Sequence, residues 1–161
     1  MRVAAIVGTS GSGKTTLIER LIRAARERGL SVSTIKHTHH HDIELDTPGK
    51  DSHRHRVAGA SEVIVASDAG WARIAASPVP ASLQILLGQL HPVDLVLIEG
   101  FKQLEWLRRV EVFRGAGAPL AADDPGIAAV AVPAGIALPA VKAVRLPLDD
   151  TAAVLDFILS A

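Results

Sequence analysis

Apolar runs of strand length alternate along the chain with segments of helical periodicity. The segment from Arg2 to Val7 is short, apolar and β-branched, which is typical of a buried central strand. A glycine-rich turn follows. Further along the chain, Gly29 stands where a glycine that ends a helix is expected, and residues 31–36 predict a second strand. Between the turn and Gly29, apolar residues recur at helical spacing, namely Leu17, Ile18, Leu21, Ile22 and Ala25. The order strand, loop, helix, strand predicts a βαβ unit.

The rest of the chain continues this alternation. We predict a short helix over 51–60, strands over 61–67 and 71–76, a helix over 80–90, strands over 93–98, 109–114, 127–132 and 141–146, and a last helix through Leu159 capped by Asp149. This pattern predicts an α/β fold of three αβα layers with a mostly parallel sheet. The hairpin around Gly70 and the strand 109–114, where valines alternate with Glu111, predict antiparallel additions, the latter near a sheet edge.

Composition narrows the class of protein. The chain has 161 residues, 48% of them hydrophobic, with 17 basic and 17 acidic side chains. It is therefore long enough for one ordinary core, and its charge balance argues against a general nucleic-acid or membrane-surface binder. The absence of cysteine excludes disulfides, zinc–thiolate sites and iron–sulfur clusters. With no signal-peptide pattern and no apolar run of about 18 residues, we expect a cytoplasmic protein.

The glycine-rich turn carries the strongest chemical signal. Gly8, Gly13, Lys14 and Thr15 match the phosphate-binding P-loop pattern G-x-x-x-x-G-K-[ST], and the loop stands between a predicted strand and a predicted helix. Its glycines let successive backbone N–H groups face phosphate oxygens. The predicted nucleotide-binding residues are Gly8, Thr9, Ser10, Gly11, Ser12, Gly13, Lys14, Thr15 and Thr16. Residues 1–161 are accordingly expected to form a single P-loop nucleotide-binding domain.

A bound nucleoside triphosphate needs Mg²⁺, and Mg²⁺ needs a carboxylate near the loop. Lys14 is expected at the β- and γ-phosphates, and the Thr15 hydroxyl at the metal. Glu99 ends an apolar strand and is our candidate for the metal-side acid, whereas Asp94 opens the same strand at the far end of the sheet. We therefore assign Lys14 and Glu99 the catalytic roles. Asp42, Asp46 and Asp51 are further candidates for the outer shell of the metal.

A histidine-rich loop follows the second predicted strand on the same side of the sheet. It runs Lys36-His37-Thr38-His39-His40-His41-Asp42. Three interpretations stay open: recognition of an anion by Lys36 and charged histidines, a metal site on neutral imidazoles, and a solvated polar loop.

Several of these segments occur together in one known family. They are the P-loop, Ile35-Lys36-His37-Thr38-His39-His40, Asp46-Thr47-Pro48-Gly49-Lys50-Asp51-Ser52, Ala58-Gly59-Ala60 and Ile98-Glu99-Gly100-Phe101-Lys102. In this combination the chain resembles the molybdopterin-guanine dinucleotide biosynthesis protein B family, from the first strand to about Arg114 and more weakly beyond.

The resemblance implies a GTP-binding protein with weak GTPase activity. Its partner would be the nucleotidyltransferase that attaches GMP to molybdopterin in molybdenum-cofactor biosynthesis. It also implies a homodimer, for which the hairpin around 61–76 is the candidate contact. A second ligand, with molybdopterin a candidate, would meet Lys36, His37, His39, His40, Asp42, Asp51 and Lys102. The strand 127–132 ends here in Pro133-Ala134, and no Asn-Lys-x-Asp motif is present, so guanine over adenine is implied by the resemblance alone.

Two other functions remain in competition. A nickel-delivering metallochaperone GTPase would account for the histidines, although that class usually uses cysteine and a recognisable guanine motif. A small-molecule kinase could share the same fold, with Asp42 or Asp51 near the acceptor.

Overall fold

The computed structural model describes residues 1–38, 47–75 and 81–160. Its elements in chain order are β1 (Arg2–Val7), α1 (Lys14–Glu27), β2 (Val32–Lys36), α2 (Asp51–Val57), β3 (Glu62–Ser67), β4 (Gly70–Ala75), α3 (Leu83–Gly88), β5 (Leu95–Glu99), β6 (Arg108–Val112), a 3₁₀ turn (Leu120–Ala122), β7 (Ile127–Val132), β8 (Val144–Pro147) and α4 (Thr151–Leu159). They belong to two compact units, Met1–Thr38 with Leu90–Ala161, and His39–Gln89. In the described part of the chain, no helix has the length and apolar character needed to cross a membrane.

The larger unit is built on a six-stranded sheet. Its strand order is β2-β5-β1-β6-β7-β8, and every neighbouring pair in it is parallel. The carboxyl ends of all six strands therefore lie along one edge, which is where ligands bind in sheets of this kind. The predicted α/β fold is confirmed, and β1 lies inside the sheet with the loop that follows it at that edge.

The core covers both faces of this sheet. On one face, Leu21 of α1 and Leu155 of α4 are fully buried in a cluster with the strands. Ala5, Ile98 and Val130 belong to the alternate positions of their strands and are fully buried as well. Burial on both faces is what the predicted three-layer arrangement requires. Truncation of Leu21 to Ala would cost about 2–5 kcal/mol of stability.

Strand β6 differs from the prediction. We expected an antiparallel strand near an edge, but β6 is parallel and lies between β1 and β7. The charged residues that suggested an edge, Arg109 and Glu111, are each only 1% exposed. The antiparallel addition at this point of the chain is therefore wrong.

Partners that follow β6 in the chain explain why these charges can be buried. Arg109 Nη2 donates to Asp124 Oδ1 at 3.0 Å. The two carboxylate oxygens of Glu111 accept the backbone N–H groups of Leu120 and Ala121 at 2.7 and 2.9 Å. A buried charge is tolerated when it is paired and hydrogen-bonded, so alternating charge in β6 does not mark solvent exposure.

The glycine predicted to end α1 is confirmed, and the predicted cap of α4 falls on the neighbouring residue. Gly29 follows α1 with φ 76°, the left-handed conformation expected of a glycine that ends a helix. For α4, the side chain of Asp150, and not that of Asp149, accepts the Ala153 N–H at 2.9 Å. The two aspartates are adjacent, and only the second has the N-cap position.

The smaller unit contains α2, α3 and the antiparallel pair β3–β4. The predicted hairpin is confirmed, with Ser67 paired to Gly70 at its turn. Helix α3 begins after Ser82, whose side chain accepts the Ile85 N–H at 3.4 Å. It is shorter than the predicted segment 80–90, of which residue 80 lies outside the described residues.

Candidate functional site

The loop between β1 and α1 has the backbone of a phosphate cradle. Gly8, Gly11 and Gly13 have φ values of 144°, 73° and 96°, a region that side chains disfavour. A Cβ at Gly8 would lie 2.7 Å from the Val112 carbonyl oxygen and 2.8 Å from Ser12 Oγ. Glycine is therefore required both by conformation and by the close approach of the neighbouring strand.

The N-terminus of α1 is open to an anion. Among the residues that the structure describes, no side chain caps it, and its first turn carries no acidic residue. Its N–H groups and the positive end of the helix dipole are consequently available to phosphate oxygens. Nearby, the buried Ser12 Oγ has no hydrogen-bond partner among the described residues. These features fit a bound phosphate chain.

Lys14 folds back over the loop that precedes it. Its Nζ donates to the carbonyl oxygens of Gly8 at 3.2 Å and of Thr9 at 2.7 Å. The ammonium group thus lies across the mouth of the cradle. From that position its charge suits the β- and γ-phosphates of a nucleotide.

Thr15 and Glu99 meet where β5 ends. The Thr15 hydroxyl donates to Glu99 Oε2 at 3.0 Å. Because the hydroxyl gives its proton to the carboxylate, its lone pairs remain free for a cation. The Glu99 side chain is 15% exposed, whereas Thr15 lies on the surface, so the hydroxyl and the carboxylate meet where a largely buried acid reaches solvent. Mg²⁺ is held in such a way, by few protein oxygens completed by phosphates and water.

The beginning of the histidine-rich loop lies beside the same acid. Lys36 Nζ is 3.8 Å from Glu99 Oε1, and the His37 N–H donates to the Glu99 carbonyl oxygen at 2.9 Å. The His37 ring stands 4.5 Å from the ring of Phe101. Phe101 has φ 52°, a strained conformation for a non-glycine residue, directly after Gly100 with φ 98°. A strained turn therefore connects the candidate metal-side acid to the start of this loop.

Of the other predicted ligand residues, the structure describes Lys102 and Asp51. The Lys102 carbonyl oxygen accepts a hydrogen bond from Arg109 Nη1 at 2.6 Å. Asp51 belongs to the smaller unit, where its carboxylate lies 3.7 Å from Arg54. His39, His40 and Asp42, together with Asp46, lie outside the described residues, so the histidine site remains a prediction. Residues 1–38, 47–75 and 81–160 contain no group of three or more histidine, aspartate or glutamate side chains that could hold a metal.

Asp94 serves the other end of β5, as predicted. Its Oδ2 accepts the Ser31 N–H at 2.8 Å and the Ser31 hydroxyl at 2.6 Å. The Asp94 N–H in turn donates to Ser31 Oγ at 2.9 Å. The hydroxyl bond, followed by the backbone bond, lowers the pKa of Asp94 below its ordinary value of 3.8. This carboxylate ties the strand ends together.

Sequence reasoning did not single out Arg114 as a site residue. Arg114 follows β6, and its Nε donates to the Ser12 carbonyl oxygen at 2.8 Å. The two residues are far apart in the chain, and only the parallel pairing of β6 with β1 brings them together. The sequence offered an arginine at the end of the predicted strand 109–114, but it did not show that this strand would pair with β1.

Comparison with known proteins identifies the family. Residues 3–133 match the family model described as molybdopterin guanine dinucleotide synthesis protein B. The chain belongs to this family. The resemblance stated from the P-loop, the histidine-rich segment and the Glu-Gly-Phe-Lys run is thereby confirmed.

Individual members of the family agree with this assignment. Proteins named molybdopterin-guanine dinucleotide biosynthesis adapter protein are 51% identical over 61% of this chain in Haemophilus influenzae, and 45% identical over 70% of it in Escherichia coli. The matches span 56% and 66% of those proteins' own lengths. The crystal structure of Bacillus subtilis MobB is 27% identical, with a TM-score of 0.76 over 99% of this chain and 97% of that one. The P-loop α/β fold is thus the family fold.

Proposed function

We propose that the chain is a GTP-binding accessory protein of molybdopterin guanine dinucleotide biosynthesis, with Mg²⁺ and a weak GTPase activity. The observation that carries this proposal is the contact of Thr15 with Glu99 beside an open phosphate loop. The relatives named adapter proteins support the role, with the nucleotidyltransferase that attaches GMP as the partner. The preference for guanine and the cytoplasmic location are carried over from the family resemblance and the sequence.

Different groups at the loop bind the phosphates and the metal ion. The backbone N–H groups at the start of α1 hold the phosphates, and Lys14 neutralises their charge. The Thr15 oxygen and Glu99 hold Mg²⁺, which supplies charge stabilisation for phosphoryl transfer when bound.

The surroundings of Glu99 account for weak hydrolysis. Its Oε2 accepts the Thr15 proton, and its Oε1 faces Lys36. A carboxylate engaged in this way is suited to holding a cation and poorly suited to taking a proton from an attacking water. Slow turnover fits a protein whose bound GTP state matters more than its hydrolysis.

A reconstituted GMP-attachment assay tests the accessory role. Purified nucleotidyltransferase, molybdopterin and GTP are combined with the wild-type chain, with Lys14→Ala, or with Arg23→Ala as a control on the exposed face of α1. We expect the wild type and the control to raise product formation and Lys14→Ala to lose this effect. Equal stimulation by all three proteins would contradict the proposal.

We propose further that a second copy of the chain covers the hairpin. Ile64 and Trp71 lie on the same face of the β3–β4 pair and are 58% and 65% exposed. Val65, on the opposite face, is 47% exposed. A two-stranded ribbon with this much open apolar surface is marginal on its own, and pairing with a copy of itself would bury it.

Sedimentation velocity of the full chain tests the dimer. We expect a dimer for the wild type and a monomer for Ile64→Ser with Trp71→Ser. Val144→Ser, which changes an exposed apolar residue of β8, is expected to leave the dimer intact. A dimer that survives the double change at the hairpin would exclude this contact.

A further inference from the structure

Arg114 contacts the end of the phosphate loop, next to the start of α1. Its Nε–H donates to the Ser12 carbonyl oxygen at 2.8 Å. Its Nη2 and Nε lie 3.1 and 3.2 Å from the point that a Cβ at Gly13 would occupy. The guanidinium group therefore lies against the peptide that joins Ser12 to Gly13, immediately before α1.

The geometry of that peptide gives the contact a consequence. In a trans peptide the C=O and the following N–H point in opposite directions. The chain contains no cis peptide among its described residues, so the Gly13 N–H is directed away from Arg114. That N–H, at the residue preceding α1, has no acceptor among the described residues.

We propose that Arg114 is a positioning residue of the phosphate loop, which holds the Ser12 carbonyl so that the Gly13 N–H is turned toward the bound phosphate. This inference rests on the proposed nucleotide-binding function and deepens it. The bond to the Ser12 oxygen also polarises the peptide, which strengthens the Gly13 N–H as a donor. Gly13 is thus required for two reasons, its positive φ and the space that the guanidinium occupies.

Three substitutions separate the hydrogen bond from the charge. In Arg114→Gln, the amide nitrogen stands at the same number of bonds from Cα as the arginine Nε, so the donor is kept and the charge is lost. In Arg114→Lys, a methylene takes that place, so the charge is kept and the donor is displaced. Arg114→Met removes both while filling similar space.

The affinity for Mg·GTP, measured by calorimetry, should follow the donor. We expect Arg114→Gln to bind within about threefold of the wild type, and Arg114→Lys and Arg114→Met to bind about tenfold more weakly, the value of one hydrogen bond to a charged group. Melting temperatures without nucleotide should stay close to the wild type. Wild-type affinity in Arg114→Lys with weak binding in Arg114→Gln would overturn the proposal, because charge alone would then matter. Equal affinity in all variants would also overturn it.

Two further measurements make the outcome decisive. In the ¹⁵N-labelled wild type, the Gly13 amide proton should move downfield when Mg·GTP is added, and an unchanged signal would overturn the proposal without any variant. The variant Lys14→Ala distinguishes a failure of the inference about Arg114 from a failure of the proposed function. If the wild type binds Mg·GTP, Lys14→Ala does not, and the Arg114 variants bind normally, the inference fails alone. If the wild type does not bind, the proposed function fails and takes the inference with it.

Discussion

Glu99 is the last residue of strand β5, and Asp94 immediately precedes its first residue. Each accepts a hydrogen bond from a small hydroxyl side chain. At the amino end, Ser31 binds Asp94 through both its N–H and its hydroxyl, and the Asp94 N–H binds Ser31 in return. At the carboxyl end, Glu99 receives a single hydroxyl bond and faces a lysine at 3.8 Å.

The difference lies in what each pair leaves available. The Asp94–Ser31 pair is a closed exchange of bonds between two segments of chain, which stabilises the sheet at the edge away from the phosphate loop. The Thr15–Glu99 pair leaves oxygen lone pairs at the helix end that follows the phosphate loop. Similar chemical groups therefore serve a structural role at one edge and, in the function we propose, a ligand-binding role at the other, which is the edge where ligands bind in parallel sheets. Substitutions at the two ends should consequently fail in different assays.

The largest effect is expected from Lys14→Ala. The change removes the ammonium group that lies over the loop, so affinity for Mg·GTP should fall by about 100-fold or more. Lys14 donates only to loop carbonyls, so the melting temperature should hardly change. Calorimetry and thermal unfolding measure the two quantities. Retained affinity for Mg·GTP would show that the nucleotide does not bind at the loop beside Lys14.

The next effect is expected from Glu99→Gln. The amide keeps the shape of the side chain and loses the charge that holds a cation, so Mg²⁺-dependent hydrolysis should fall by about 10- to 100-fold. Nucleotide binding without Mg²⁺ should change much less, because the phosphates are held by the loop. Hydrolysis at saturating GTP over a Mg²⁺ series provides the test. Equal losses in binding and hydrolysis would argue against a metal role for Glu99.

Asp94→Asn is the matched change at the other end of β5. It should leave affinity for Mg·GTP at the wild-type value and lower the melting temperature by a small amount, because the Ser31 bonds are weakened. Both values come from the same two instruments used for Lys14→Ala. A loss of nucleotide affinity in this variant would remove the distinction between the two ends.

The smallest effect is a difference in acid stability. The folded pKa of Asp94 is lowered, so the unfolded chain takes up a proton more readily, and the contribution of Asp94 to stability is complete only above the ordinary value of 3.8. It should disappear as the pH falls through the lowered folded value. Denaturant unfolding of the wild type and of Asp94→Asn should therefore converge as the pH decreases below about 4. A gap that widens in acid would contradict this assignment.

The parts that the sequence predicted well depend on local patterns. The strand Arg2–Val7, the loop and the helix Lys14–Glu27 follow from periodicity, glycine spacing and a helix-ending Gly29. The pairing of Thr15 with Glu99 could be anticipated because strand ends gather at one edge of a parallel sheet.

The features that the sequence did not predict depend on contacts between residues distant in the chain, or on which of two adjacent residues takes a given position. Charged residues in β6 predicted an edge because their partners, Asp124 and the N–H groups of the 3₁₀ turn, could not be recognised before the fold was known. Arg114 was missed for the same reason, since its contact with Ser12 spans the chain between β6 and β1. The cap of α4 falls on Asp150 and not on Asp149, a choice between adjacent acids that periodicity does not make.

The most direct test of the account is a calorimetric titration of the wild-type chain with GTP in the presence and absence of Mg²⁺, with ATP as a competitor. We expect saturable binding of GTP that Mg²⁺ strengthens and that excess ATP displaces poorly. No heat and no saturation with either nucleotide, in the presence of Mg²⁺, would contradict the claim that the loop before α1 holds a triphosphate.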